Sequence, residues 1–171
     1  EILSADFAIL PGVGAYGKAM ERLTSSGLDD VVKEFIKKGN PFLGICVGMQ
    51  LLANFSKEYG YTEGLSWIEG DVSSIEIVEA EMKVPHMGWN SVRFNKKHTL
   101  FNRIKQDEDF YFVHSYKFNV KNNKLVLAKT HYGGDITAVV LKDNIIGTQF
   151  HPEKSQTAGI QFIKNFLEWT P

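Results

Sequence analysis

Cys46 stands in Gly44-Ile45-Cys46-Val47-Gly48, a thiol with glycine two residues to either side, at the end of an apolar run. A nucleophile on a sharp strand-to-helix turn needs such flanking glycines, because backbones must pass close beside it. The Val47 amide, next in the chain, could then donate to a developing oxyanion. A second constellation is His151-Pro152-Glu153. Proline biases His151 to an extended backbone, and residues two apart in an extended segment point the same way, so Glu153 can reach the imidazole. A carboxylate on one ring nitrogen fixes the tautomer and leaves the other free to take a thiol proton and return it to a leaving amine. The third is Pro11-Gly12-Val13-Gly14-Ala15-Tyr16, a turn able to aim backbone N–H groups at an anion. Each has a plainer reading: an inert buried cysteine, a solvated strand end and an ordinary tight turn.

The elements that position these groups follow from the apolar pattern. Ala5 to Leu10, closed by Pro11-Gly12, reads as a buried strand, and Tyr16 to Leu23 as a short helix. Leu28, Val31, Val32, Phe35 and Ile36 recur at helical spacing, with Asp29 and Asp30 at the front, lysines behind and Gly39 as the stop. Pro41 to Ile45 is a second buried strand, and Met49 to Phe55 a helix whose N-terminus would favour a Cys46 thiolate. From Gly70 to Thr148 the chain is a series of β-rich runs: Val72–Val78, Ser91–Phe94, Phe110–Tyr116, Leu125–Lys129, Thr137–Leu141 and Ile145–Phe150. Lys142-Asp143-Asn144 sits at hairpin distance between the last two. A final helix presents Ile160, Ile163, Phe166 and Leu167. The sum is α/β: a mixed, largely parallel sheet flanked by helices, in one domain over residues 1–171.

Composition narrows the function. Lys plus Arg number 19 against 20 acidic residues, so no basic excess is available for a nucleic-acid backbone. One cysteine forms no internal disulfide and fits a cytoplasmic protein. No apolar run reaches the roughly 20 residues a bilayer demands. His86, His98, His114 and His131 show no metal-ligand spacing, and no cofactor is called for. Gly12, Gly14 and Gly17 fit G-x-G-x-x-G, but no acidic residue sits about 20 positions on at a strand end, so a dinucleotide is not expected. Trp89 in Pro85-His86-Met87-Gly88-Trp89-Asn90 could belong to the core, but the stretch also reads as a Pro-Gly-rich loop that offers Met and Trp to a protein partner.

Together these blocks, with Phe112-Val113-His114-Ser115-Tyr116 and Gln149-Phe150-His151-Pro152-Glu153-Lys154-Ser155, resemble the class I, triad-type glutamine amidotransferases. Within that family they are similar to the branch that supplies ammonia to a cyclase in histidine biosynthesis. The blocks keep the family order from residue 11 to residue 155.

The resemblance implies that Cys46 attacks the carboxamide of L-glutamine, that His151 is general base and then acid, and that Glu153 orients it. The amides of Val47 and of Val13 and Gly14 would form the oxyanion hole. Gly12, Gln50, His114, Ser115 and Tyr116 would surround the glutamine, while Trp89 and Lys154 would face a (β/α)8-barrel synthase partner in a heterodimer. Val47 replaces the family's leucine, which leaves the amide unchanged. A family stretch of the form Asp-Tyr-Gly-x-Gly-Asn is absent, so an N-terminal strand-helix unit of roughly 35–40 residues is expected to precede this chain. The Gly64-Leu65-Ser66-Trp67-Ile68-Glu69-Gly70 segment also departs from the histidine branch, and keeps open a paralogue serving a sugar-modifying synthase for surface polysaccharide or flagellin. A non-catalytic binding subunit and a cysteine peptidase or esterase are the remaining alternatives.

Overall fold

The computed structural model describes residues 2–78 and 82–171. Its main sheet takes strands from across the chain: β1 (Ala8–Gly12), β2 (Phe42–Cys46), β6 (His86–Phe94), β7 (Glu108–His114), β9 (Val126–His131), β10 (Asp135–Lys142) and β11 (Ile145–Thr148). Their order is β1-β2-β11-β10-β9-β6-β7. A smaller sheet is formed by β3 (Phe55–Ser56), β4 (Thr62–Glu63), β5 (Gly70–Ser74) and β8 (Tyr116–Val120), in the order β4-β3-β5-β8. The helices are α1 (Tyr16–Ser25), α2 (Leu28–Lys37), α3 (Val47–Gln50) and α4 (Gln156–Leu167).

β2 is buried along its whole length, as a central strand covered on both faces must be, and its sequence is accordingly apolar without alternation. It pairs in parallel with β1 and with β11, bringing Gly12 opposite Cys46 and Thr148 opposite Ile45. Three strands thus end on one edge of the sheet. Each is followed there by one of the stretches singled out in the sequence: the Gly12–Gly14 turn, Cys46 with α3, and Gln149 to Glu153.

The mixed α/β class stands, with a smaller parallel share than expected. Those two pairings are parallel, whereas β11-β10, β10-β9, β9-β6 and β6-β7 are antiparallel. β1 and β2 are parallel because α1 and α2 carry the chain back between them, and β11 comes to lie parallel to β2 by a hairpin from β10. The main-sheet strands from β6 to β11 follow one another with no α-helix to cross over, and pair antiparallel among themselves. The expected hairpin at Lys142-Asp143-Asn144 is present, pairing Lys142 with Ile145. α2 carries Asp29 and Asp30 in its first turn, and Gly39, at φ 85°, ends it with a bond from its N–H to the Ile36 carbonyl.

Three expectations fail locally. The helix over Met49–Phe55 is instead the four-residue α3 followed by turns and β3. The carbonyls of Leu51, Leu52 and Asn54 accept bonds from Leu65, Trp67, Ile68 and Gly64, so the 64–68 segment takes acceptors a continuing helix would need. Pro85 to Asn90 is not a loop, since β6 begins at His86 and pairs with β7 as far as His114. In α4, Ile160 and Leu167 lie outward, while Phe162 and Phe166 face the core, Phe162 edge-on to Phe150 at 5.5 Å.

Candidate functional site

Cys46 is held at φ 54° and ψ −110°, a conformation that costs an ordinary residue about 1–3 kcal/mol and survives only where packing dictates it. The packing here is glycine on glycine. A Cβ on Gly44 would come within 2.6 Å of the Gly48 carbonyl oxygen, and one on Gly48 would overlap the Leu10 carbonyl of β1. The framing glycines therefore let β1, β2 and α3 pass close enough to force the turn that carries the thiol.

The sulfur is buried, facing the Val113 carbonyl at 4.0 Å. Burial pushes the thiol up to about 11, against the downward pull of the Val47 N–H that bonds to it; Glu153 adds to the rise and Lys154 opposes it. A resting thiolate favoured by a following helix was the expectation, and it does not hold. Four residues align too few peptide dipoles to offset desolvation.

His151 lies beyond β11, its N–H bonded to the Tyr111 carbonyl at 2.9 Å and its carbonyl to Ser155 Oγ at 2.6 Å. Its Nδ1–H donates to Glu153 Oε1 at 2.7 Å. A carboxylate only accepts, so Nδ1 carries a proton, and in the neutral imidazole Nε2 is left with the lone pair. That Nε2 is buried and has no protein partner among the described residues. His151 is extended as expected, but Glu153 reaches it from a 3-10 turn over Pro152–Lys154 rather than along a strand.

These groups open on a cleft of about 440 Å³, lined by Val13, Gly14, Cys46, Val47, Gln50, His114, Ser115, Tyr116 and His151 among the expected residues. Gly12 lies just behind it, opposite Cys46 in the sheet register. Gly14 takes φ 90° with open space around it. Glu58, Tyr59, Pro85 and Val113 also line the cleft, unforeseen from sequence. Glu58 is tied by the Tyr16 N–H at 2.7 Å and brings the only carboxylate among the lining residues. Lone polar residues between glycines and aromatics gave no motif by which to find it.

Gln50 is buried, its Nε2 donating to the Tyr116 carbonyl at 3.0 Å and to Gln149 Oε1 at 2.9 Å. His114 and His86 are also buried, and desolvation lowers them to about 3 and about 4. Trp89 lies outside the cleft with Met87, both exposed on one face of β6. The Trp89 ring meets Tyr111 at 6.0 Å, and Lys154 Nζ stands 6.0 Å from the same tyrosine on its own account.

A parallel-stranded edge presenting a strained cysteine, and beside it a histidine held by a carboxylate, is the arrangement of a thiol amide-hydrolase. Residues 4–169 match the class I glutamine amidotransferase family, and the chain belongs to it. It is 48% identical to the imidazole glycerol phosphate synthase subunit HisH of Brucella melitensis over 99% of this chain and 81% of that protein. With the HisH subunit of Ruegeria pomeroyi the identity is 49% over the same shares. A solved glutamine amidotransferase superposes with a TM-score of 0.69 at 21% identity, over 95% of this chain and 78% of that one, which speaks to the fold.

Proposed function

We propose that this chain is the glutaminase subunit of an imidazole glycerol phosphate synthase, hydrolysing L-glutamine and passing the ammonia to a cyclase of (β/α)8-barrel fold in histidine biosynthesis. The observation that carries the chemistry is the buried Nε2 of His151, without a partner among the described residues and with its tautomer set by Glu153, on the same cleft as the only cysteine of the sequence.

With glutamine bound, the Cys46 proton passes to His151 Nε2 as sulfur attacks the side-chain carbonyl carbon. The imidazolium that forms is offset by Glu153. Negative charge on the carbonyl oxygen is met by the Val47 N–H and by an amide of the Val13-Gly14 turn. His151 returns the proton to the nitrogen, the C–N bond breaks, ammonia leaves, and a γ-glutamyl thioester stays on Cys46. Water, deprotonated by His151, attacks the thioester to give glutamate and the free thiol. Glu58 supplies a charge for the α-ammonium of the substrate. The raised thiol suits this sequence, because proton transfer to His151 then accompanies attack and no idle thiolate is exposed to oxidation.

Met87 and Trp89, with Lys154 across Tyr111, form an exposed aromatic and cationic face of the kind that anchors protein interfaces, and we assign the synthase contact to it. A cytoplasmic setting, where a lone thiol stays reduced, belongs to the same reading. The 64–70 segment that kept the sugar-modifying paralogue open packs on Leu51 and Leu52 and contributes nothing to the cleft lining, so its departure leaves the site chemistry untouched. Mixing the full-length protein with imidazole glycerol phosphate cyclase and following glutamine-dependent product formation tests the assignment. Product formed only from added ammonium, and never from glutamine, would overturn it.

A further inference from the structure

Gln149 is wholly buried between the end of β11 and His151, and the reaction sequence above gives it no task. Its Nε2 lies 3.7 Å from Cys46 Sγ. Which end of the amide faces the sulfur is settled by its other neighbour. Gln50 spends its two Nε2 hydrogens on the Tyr116 carbonyl, at 3.0 Å, and on Gln149, at 2.9 Å. The atom of Gln149 that receives the second must be its oxygen, so a donor NH2 is left towards the sulfur.

The same logic runs outward without conflict. The Tyr116 carbonyl also accepts from His114 Nδ1–H at 2.8 Å, which leaves His114 Nε2 to accept from His86 Nδ1–H at 3.0 Å. His86 Nε2 in turn accepts from Asn90 Nδ2 at 3.1 Å, and that nitrogen's other hydrogen goes to the His131 carbonyl at 2.9 Å. The two buried histidines are thereby neutral and of fixed tautomer, and the chain of bonds from β6 ends on the nucleophile.

We propose that Gln149 is a positioning residue for Cys46: its amide, oriented by Gln50, donates to the sulfur and stabilises it as negative charge develops there. This rests on the reading of Cys46 as the nucleophile. Desolvation is the largest influence on this thiol and disfavours the anion. Among the described residues the Val47 N–H is the other group that bonds to the sulfur as a donor, so two donors face a buried anion. A hydrogen bond to a charged acceptor is worth about one to two pKa units. If Gln149 merely filled a polar slot in the core, its loss would lower stability and leave the thiol's reactivity unchanged.

The test is alkylation of Cys46 by iodoacetamide in the full-length protein, followed on the Cys46 peptide by mass spectrometry, with far-UV circular dichroism to verify folding. At pH 8 a rise of one to two units cuts the thiolate fraction about 10- to 100-fold. The more basic thiolate is intrinsically faster, with a Brønsted slope of about 0.5, so the net rate falls about 3- to 10-fold. We expect this in Gln149→Met. Gln149→Glu, nearly isosteric and still able to accept from Gln50, sets a carboxylate oxygen against the sulfur and should fall further. A rate within twofold of wild type in either folded variant overturns the proposal. Failure of the wild-type protein to hydrolyse glutamine with its partner would instead overturn the glutaminase reading, since alkylation of Cys46 needs no glutamine.

Discussion

Replacing Glu153 by glutamine removes one negative charge and little else. The carboxylate accepts the Nδ1–H of His151 at 2.7 Å, and its side chain is 47% exposed. A half-exposed amide is free to turn its oxygen to the same N–H, so the tautomer needed at Nε2 survives. What is lost is the attraction between the imidazolium formed during attack and its counter-charge. Two unit charges at about 4 Å gain roughly 1 kcal/mol in water and roughly 4 kcal/mol near a protein surface. Exposure on one side places this pair between, at about 2 kcal/mol, which is about 30-fold in rate. His151→Ala removes the proton carrier itself, and general acid-base groups contribute about 10²–10⁴-fold. The assay is glutamate release at saturating glutamine, with the partner and its ligand present, reported as kcat and KM separately. Glu153→Gln should lose kcat with little change in KM, and less than His151→Ala. An equal or greater loss in Glu153→Gln, or none, would refute the roles assigned to the two residues.

Cys46→Ala should abolish glutamine hydrolysis and leave ammonia-supported synthesis by the partner intact, because only the first reaction needs the thiol; retained glutaminase activity contradicts this. Gly48→Ala should destabilise the fold by about 3 kcal/mol, the upper end of overpacking, since its Cβ would overlap the Leu10 carbonyl; an unchanged urea midpoint refutes the close-packed turn. Gly14→Val, at φ 90°, is strained by conformation alone and displaces an amide assigned to the oxyanion, so kcat for glutamine hydrolysis should fall about 10²–10³-fold with KM little changed; an unchanged kcat contradicts the assignment. Burial lowers His86 to about 4 and His114 to about 3, below an unfolded value of about 6.5. The unfolded chain therefore binds more protons, and the stability these residues contribute is complete above about pH 6.5 and is lost as pH falls towards 3. Urea midpoints at pH 7.5 and pH 5 should show the loss, and His86→Phe should reduce it; equal slopes in both proteins would contradict the assignment.

The parts of the site that were legible in sequence are those whose geometry leaves a local mark. Gly44 and Gly48 mark a close approach, and Pro152 marks the extended residue before it. The Phe42–Cys46 strand was legible because burial on both faces removes alternation. The Met49–Phe55 helix was misread because its carbonyls are claimed by residues 64–68, a tertiary competition that spacing alone does not reveal. α4 is apolar on more than one face, so periodicity did not choose Phe162 over Ile160. Pro85 to Asn90 reads as a loop in sequence because Pro85 and Gly88 signal turns, whereas Gly88 sits within β6 at φ 118°. The roles of Glu58 and Gln149 were not legible for another reason. A single carboxylate or amide acquires meaning only from the residues 42 and 103 positions away with which it bonds, Tyr16 and Cys46.

The central claim, that Cys46 carries the glutamyl group while ammonia leaves, is tested most directly by rapid acid quench of the full-length protein turning over glutamine with the loaded cyclase, followed by mass analysis of the Cys46 peptide. The account predicts a γ-glutamyl adduct on Cys46 that forms and decays within a turnover, is absent without glutamine, and accumulates when His151 is replaced only to the extent that attack still occurs. Glutamate formed at the normal rate with Cys46 unmodified throughout, or formed by Cys46→Ala, would contradict it.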